Sequence, residues 1–148
     1  MSTYKGEAPS GSVELDPRII PFFEKFYDVS DTKGDSADAE YVDSLTEDGV
    51  LIMGSKRGNG KDEITPLRKG LWSGPVKTRK HHLHRIYPFT PLDVMIHGSV
   101  DYGLNNGKSL SVDWAAHAQF VESDDKKLRM RFYQVYLDSA PVAQAASS

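Results

Sequence analysis

The sequence predicts an α+β domain whose helices come first and cover one face of a mostly antiparallel sheet. Two observations carry this. Up to residue 72 the apolar positions repeat mainly at helical spacing, and from Thr78 onward the period changes to two. In that second half the connections "FTPL", "NNG" and "SDDK" have hairpin composition, so consecutive strands pair as a meander beneath the helices.

In "DPRIIPFFEKFYDVSD" the residues Ile19, Phe22, Phe23 and Phe26 form one helical face. Pro21 suits a first turn, so the helix should begin near it, after an entry turn over Pro17 to Ile20, and end near Ser30. The polar loop "SDTKGDS" leads to a second short helix through Tyr41, Val42 and Leu45, with Asp35 or Ser36 as its cap. "VLIM", residues 50 to 53, reads as a short buried strand. The glycine-rich "GSKRGNG" returns the chain to a third helix containing Ile64, Leu67, Leu71 and Trp72, in which Pro66 predicts a kink or a late start. This loop is not a phosphate cradle, because Gly60 and Lys61 are followed by Asp62. Four long strands follow, near 78 to 88, 93 to 104, 109 to 122 and 126 to 138.

Alternation assigns the faces of these strands. Val94, Ile96, Val100, Tyr102 and Leu104 should face the helices, as should Val112, Trp114, Ala116, Ala118 and Phe120. In the last strand the inward set is Leu128, Met130, Phe132, Gln134 and Tyr136. Gln134 needs hydrogen-bond partners there, from the protein or from a ligand. Met95, Ala115, Val121, Tyr133, Val135 and Leu137 then form an outer surface suited to a homodimer.

The 148 residues suit one domain, expected over 15 to 138, with flexible tails at 1 to 14 and 139 to 148 where Ser, Gly, Ala and Pro dominate. A net charge of -3 with both signs interleaved disfavours a nucleic-acid or membrane-surface role. There is no cysteine, hence no disulfide framework, thiolate nucleophile or sulfur-ligated zinc. With no apolar run resembling a leader or a membrane span, the expected location is the cytoplasm.

The segment "KTRKHHLHRIYPF" holds three of the five histidines. On a strand His82 and His84 share a face and His81 takes the other. No third inward ligand accompanies them, since His97 and His117 are expected outward, so no metal site is expected. Lys77, Arg79, Lys80 and Arg85 read as a solvated basic face. What remains is an inward imidazole beside a pocket, suited to general acid or base work, or else satisfied within the core.

The layout resembles the nuclear transport factor two-like superfamily, also called SnoaL-like or scytalone-dehydratase-like, in which helices close one side of a cone-shaped sheet. The resemblance covers about residues 17 to 138 and is carried by "FYDVSD", "GVLIMGS", "GKDEITPLRKGLW", "RKHHLHRIYP", "VDWAAHAQF" and "LRMRFYQVYLD". It is specific for fold and weakly so for function, because the superfamily includes several enzyme classes and proteins without catalysis. Comparison with scytalone dehydratase implies Asp31 and His82 as the acid/base pair, with His81 as the register alternative. The family's tyrosine before that aspartate is Ser30 here, which argues against scytalone as substrate.

The resemblance thus implies a pocket for a hydrophobic, oxygen-bearing metabolite and a dehydration or isomerisation that needs no cofactor. Its walls are expected from Tyr27, Tyr41, Met53, Leu71, Trp72, Trp114, Phe132 and Tyr136, with a tyrosine or Gln134 polarising the substrate oxygen. The alternative is a non-catalytic binding or dimerisation module of the same fold.

Overall fold

The helical face formed by Ile19, Phe23 and Phe26 is fully buried, and it seats helix α1 (Ile19–Ser30) against the sheet. In the computed structural model, which describes residues 3–148, Pro21 lies in the first turn of that helix, where its missing N–H is harmless. Helix α2 (Asp35–Asp43) follows, then strands β1 (Leu45–Met53) and β2 (Lys56–Asn59) and helix α3 (Lys61–Gly70). The long strands are β3 (Val76–Thr90), β4 (Asp93–Leu104), β5 (Ser109–Glu122) and β6 (Leu128–Leu137), and helix α4 (Ala140–Ser147) closes the chain. The six strands form one open mixed sheet in the order β2-β1-β6-β5-β4-β3, with β1 and β6 parallel and all other pairs antiparallel. Among the described residues, no helix is long and apolar enough to cross a membrane.

Three local expectations change. Leu45 belongs to β1, not to α2: it pairs with Met130 of β6, and burying it in the sheet outweighs continuing a nine-residue helix. The glycine-rich segment is itself a hairpin, because Gly54 adopts a positive φ of 61° and folds β2 back onto β1. Residues 140–147, expected as part of a flexible tail, are helical, and Val142, Ala145 and Ala146 pack against the margin of the core.

The inward rows of β4 and β5 are buried as alternation predicts. In β3 and β6 a bulge shifts the parity, since an extra residue moves every later side chain to the other face. Leu83 pairs with Gly98 and Arg85 with His97, so His84 is the extra residue in β3. Phe120 pairs with Met130 and Gln119 with Phe132, so Arg131 is the extra residue in β6. Consequently Tyr133 and Val135 are in the core, while Phe132, Gln134 and Tyr136 lie on the outer face. The expected apolar dimer surface is therefore not assembled as such: Tyr133 and Val135 are buried, and Leu137 lines an inner cavity.

Gly98 makes the β3 bend geometrically feasible. A Cβ at this position would sit 1.9 Å from the His82 carbonyl oxygen and 3.1 Å from Trp114 Cζ2. Only hydrogen fits between these two strands. Gly98→Ala should therefore force β3 away from β4 and destabilise the protein by about 1–3 kcal/mol, the usual range for overpacking. Urea denaturation with an unchanged m-value would measure this. Wild-type stability in that variant would show that the strands do not approach so closely.

Candidate functional site

Helix α1 ends at Ser30, with Asp31 as its C-cap, and its last carbonyls lack partners within the helix. A side chain from another helix supplies them. Arg68 of α3, fully buried, donates from Nη1 to Ser30 O at 2.9 Å and from Nη2 to Thr32 O at 2.6 Å and Val29 O at 3.3 Å. Its Nε donates to Asp38 Oδ1 of α2 at 2.9 Å. A cation at a helix C-terminus also meets the negative end of the macrodipole. Arg68 was not among the sequence candidates, although it lies one helical turn after the buried Ile64 and so on the same face.

Held in this way, Asp31 reaches strand β3. Its Oδ2 accepts the backbone N–H of His81 at 2.9 Å, and its Oδ1 lies 2.5 Å from His81 Nδ1. Both side chains are largely buried, with 12% and 17% exposure. The imidazole stacks on Tyr27, with ring centroids 4.9 Å apart, and meets the edge of Trp114 at 5.7 Å. With Asp31 ionised, the neutral ring carries its proton on Nδ1, which leaves the Nε2 lone pair available.

The partner of Asp31 is thus His81 rather than His82. His82 faces outward and bonds to Asp101 at 2.8 Å, with nearly half of its side chain exposed. Before the β3 bulge the inward row is Arg79, His81 and Leu83, and after it the inward residue is Ile86. The register alternative drawn from the resemblance, His81, is therefore the residue beside Asp31, since the bulge at His84 separates two stretches of opposite parity.

His81 borders a cavity of about 290 Å³ between the helices and the sheet. Of the expected walls, Tyr41, Met53, Leu71 and Trp114 line it. Trp72 is buried behind it, with Arg79 Cζ 4.7 Å from its ring. Tyr27 stands behind His81, and its hydroxyl bonds to that of Tyr133 at 2.8 Å. Phe132, Gln134 and Tyr136 are on the opposite face of the sheet. Among the cavity residues missed from the sequence, Arg79, Tyr102 and Tyr133 are large polar side chains carried by strands. Two follow from the bulges; Tyr102 was correctly placed inward but counted only as core.

Burial keeps the interior phenols neutral. It pushes Tyr27 and Tyr133 well above the ordinary tyrosine range and Tyr41 up to about 12, the last partly offset by the Arg68 and Arg79 guanidinium groups. These groups are donors near neutral pH. The linked Tyr27 and Tyr133 hydroxyls share one proton between them, so the other can be donated to an oxygen in the cavity. No cluster of three or more His, Cys, Asp or Glu side chains with metal-binding geometry occurs among the described residues.

No family model matches the sequence, and no curated protein matches it significantly. Solved structures do. ActVI-ORFA from Streptomyces coelicolor is 16% identical with a TM-score of 0.66, over 81% of this chain and 94% of that one. Nuclear transport factor 2 from Cryptosporidium parvum is 14% identical with a TM-score of 0.64, over 86% and 100%. A ketosteroid isomerase-like protein from Erwinia carotovora atroseptica SCRI1043 is 11% identical with a TM-score of 0.59, over 83% and 92%. This chain has the nuclear transport factor 2-like α+β cone fold.

Arg68 is the buried charge on which the site geometry depends. Arg68→Met should lower stability by about 3–5 kcal/mol, because Asp38 is left buried without its partner and the end of α1 loses its donors. Arg68→Lys should recover only part of this, since an ammonium cannot reproduce the planar fork. Equilibrium denaturation of the two variants checks the order; equal stability of wild type and Arg68→Met would contradict it.

Proposed function

We propose that the protein binds a small hydrophobic, oxygen-bearing molecule in the inner cavity and acts on it as a cofactor-independent dehydratase or isomerase. The observation that carries this reading is the bond between Asp31 and His81 Nδ1 at the cavity wall. It orients the imidazole, fixes its tautomer and stabilises the imidazolium that forms when Nε2 takes a proton.

In this mechanism Nε2 of His81 removes a proton from a carbon next to a carbonyl, and the electron pair moves onto the carbonyl oxygen. The Tyr133 hydroxyl, accepting from Tyr27, donates to that oxygen as its charge develops. The imidazolium then returns the proton. Delivered to another carbon of the conjugated system it yields an isomer; delivered to a β-hydroxyl it lets water leave as the carbonyl re-forms. The ketosteroid isomerase-like neighbour supports the reaction class by analogy of fold only.

A thermal-shift screen of phenolic, polyketide-like and terpenoid compounds should reveal binders, because a ligand selective for the native state raises the melting temperature. Among binders that are converted, His81→Gln should reduce turnover by about 10²–10⁴ while leaving binding nearly intact, and Asp31→Asn should also reduce it by removing the tautomer control. Unchanged turnover in His81→Gln would remove this residue from the mechanism. Binding without conversion of any compound would leave a ligand-binding protein of the same fold.

A further inference from the structure

Two very different arginines lie at the cavity: Arg68 behind it, against the Tyr41 and Trp72 rings, and Arg79 in its wall. Each nitrogen of Arg68 donates, to Asp38 or to one of three carbonyls. Arg79, on the inward row of β3 two residues before His81, has no carboxylate within 4.0 Å among the described residues. Its Nη1 is buried and has no hydrogen-bond partner in the protein. Its guanidinium is instead flanked by aromatic faces, 4.7 Å from the Trp72 ring and 5.7 Å from that of Tyr102. Trp72 Nε1 is the other buried side-chain donor without a partner among the described residues.

A guanidinium stays charged in a protein, and leaving a buried N–H of a half-buried charge without an acceptor is unfavourable. Partial burial, and to a lesser extent the neighbouring Arg68, act against the charge on Arg79, and the Tyr102 hydroxyl and Tyr41 offset them only in part. Stacking on two rings holds the plane of the fork, and the Tyr102 hydroxyl accepts from one side of it, but Nη1 is left without an acceptor. Both unpartnered atoms are donors, so the missing group is an acceptor, and a carboxylate matches the fork in shape and charge.

We propose that Arg79 is the anchor for a carboxylate on the cavity's ligand, which makes that ligand an apolar carboxylic acid. This rests on the cavity reading above and narrows its substrate class. Two residues along a strand rise about 7 Å, so an acid held by Arg79 places a more distant part of its skeleton at His81. Acid recognition and proton transfer are then separate functions of one strand face. At about 290 Å³ the cavity suits a small ring system rather than an extended polycycle.

The test compares cinnamate and naphthoate with their carboxamides, which have nearly the same shape and no charge, by tryptophan-fluorescence titration at neutral pH. Wild type should bind each acid about 10- to 100-fold more tightly than its amide, the range that a hydrogen bond to a charged group supplies. Arg79→Gln should reduce acid binding to the level of the amide and leave the amide unchanged, whereas His81→Gln should keep the preference for acids. Should Arg79→Gln fail to fold, the acid and amide comparison on wild type decides alone. Equal binding of acids and amides, or a preference that survives Arg79→Gln, overturns the anchor and leaves the cavity reading standing. Binding of neither series at millimolar concentration overturns both.

Discussion

The insertion of Arg68 into the end of helix α1 is the constraint on which the rest of the site depends. One guanidinium gathers the carbonyls of Val29, Ser30 and Thr32 and the carboxylate of Asp38, so it joins three helices at a single buried point. Asp31 lies between two of those carbonyls and cannot move independently of them. Its carboxylate then bridges to the backbone and ring of His81, which ties the helical layer to β3. A hydrogen bond from a flexible loop would leave the imidazole free to turn. Here the supporting groups are themselves hydrogen-bonded and buried, as a preorganised site requires.

The aromatic residues determine where the cavity lies. A continuous chain of ring contacts runs from Phe120 through Phe23 and Tyr27 to His81 and Trp114. This chain fills the interior up to the histidine. Beyond it the walls are Tyr41, Met53, Leu71 and Val135, which border the cavity. The same burial that makes these rings good packing elements holds their phenols neutral, so they can serve as donors without becoming charged. An imidazole beside phenols that stay neutral is a suitable combination for moving protons.

The polar interior is unbalanced toward donors. Every nitrogen of Arg68 has an acceptor, while Arg79 and Trp72 retain unpartnered atoms a short distance away. Both sets of groups share one sheet-and-helix interior, so a deficit of acceptors that the fold could have satisfied by one further Asp or Glu remains in the structure. Such a deficit is expected where a ligand, rather than the protein, completes the hydrogen bonding.

Much of the architecture was legible in the sequence, because periodicity and turn composition are local properties. The helical spacing of Ile19, Phe23 and Phe26, the alternation along β4 and β5 and the hairpin connections determined the α+β class and two complete strand faces. The sequence by itself also determined that Asp31 follows the first helix and that a histidine lies in the first long strand. Only the tertiary structure decided which histidine. The β3 bulge at His84 and the β6 bulge at Arg131 reverse side-chain direction, and neither is marked locally, because a bulge is set by the approach of two strands remote in sequence. Gly98 in the neighbouring strand, not any residue of β3, makes room for that bend. The same reversal turned Arg79 from an expected surface charge into a cavity residue and moved Gln134 out of the core. Which face a side chain occupies is a property of strand pairing, and pairing exists only in the folded molecule.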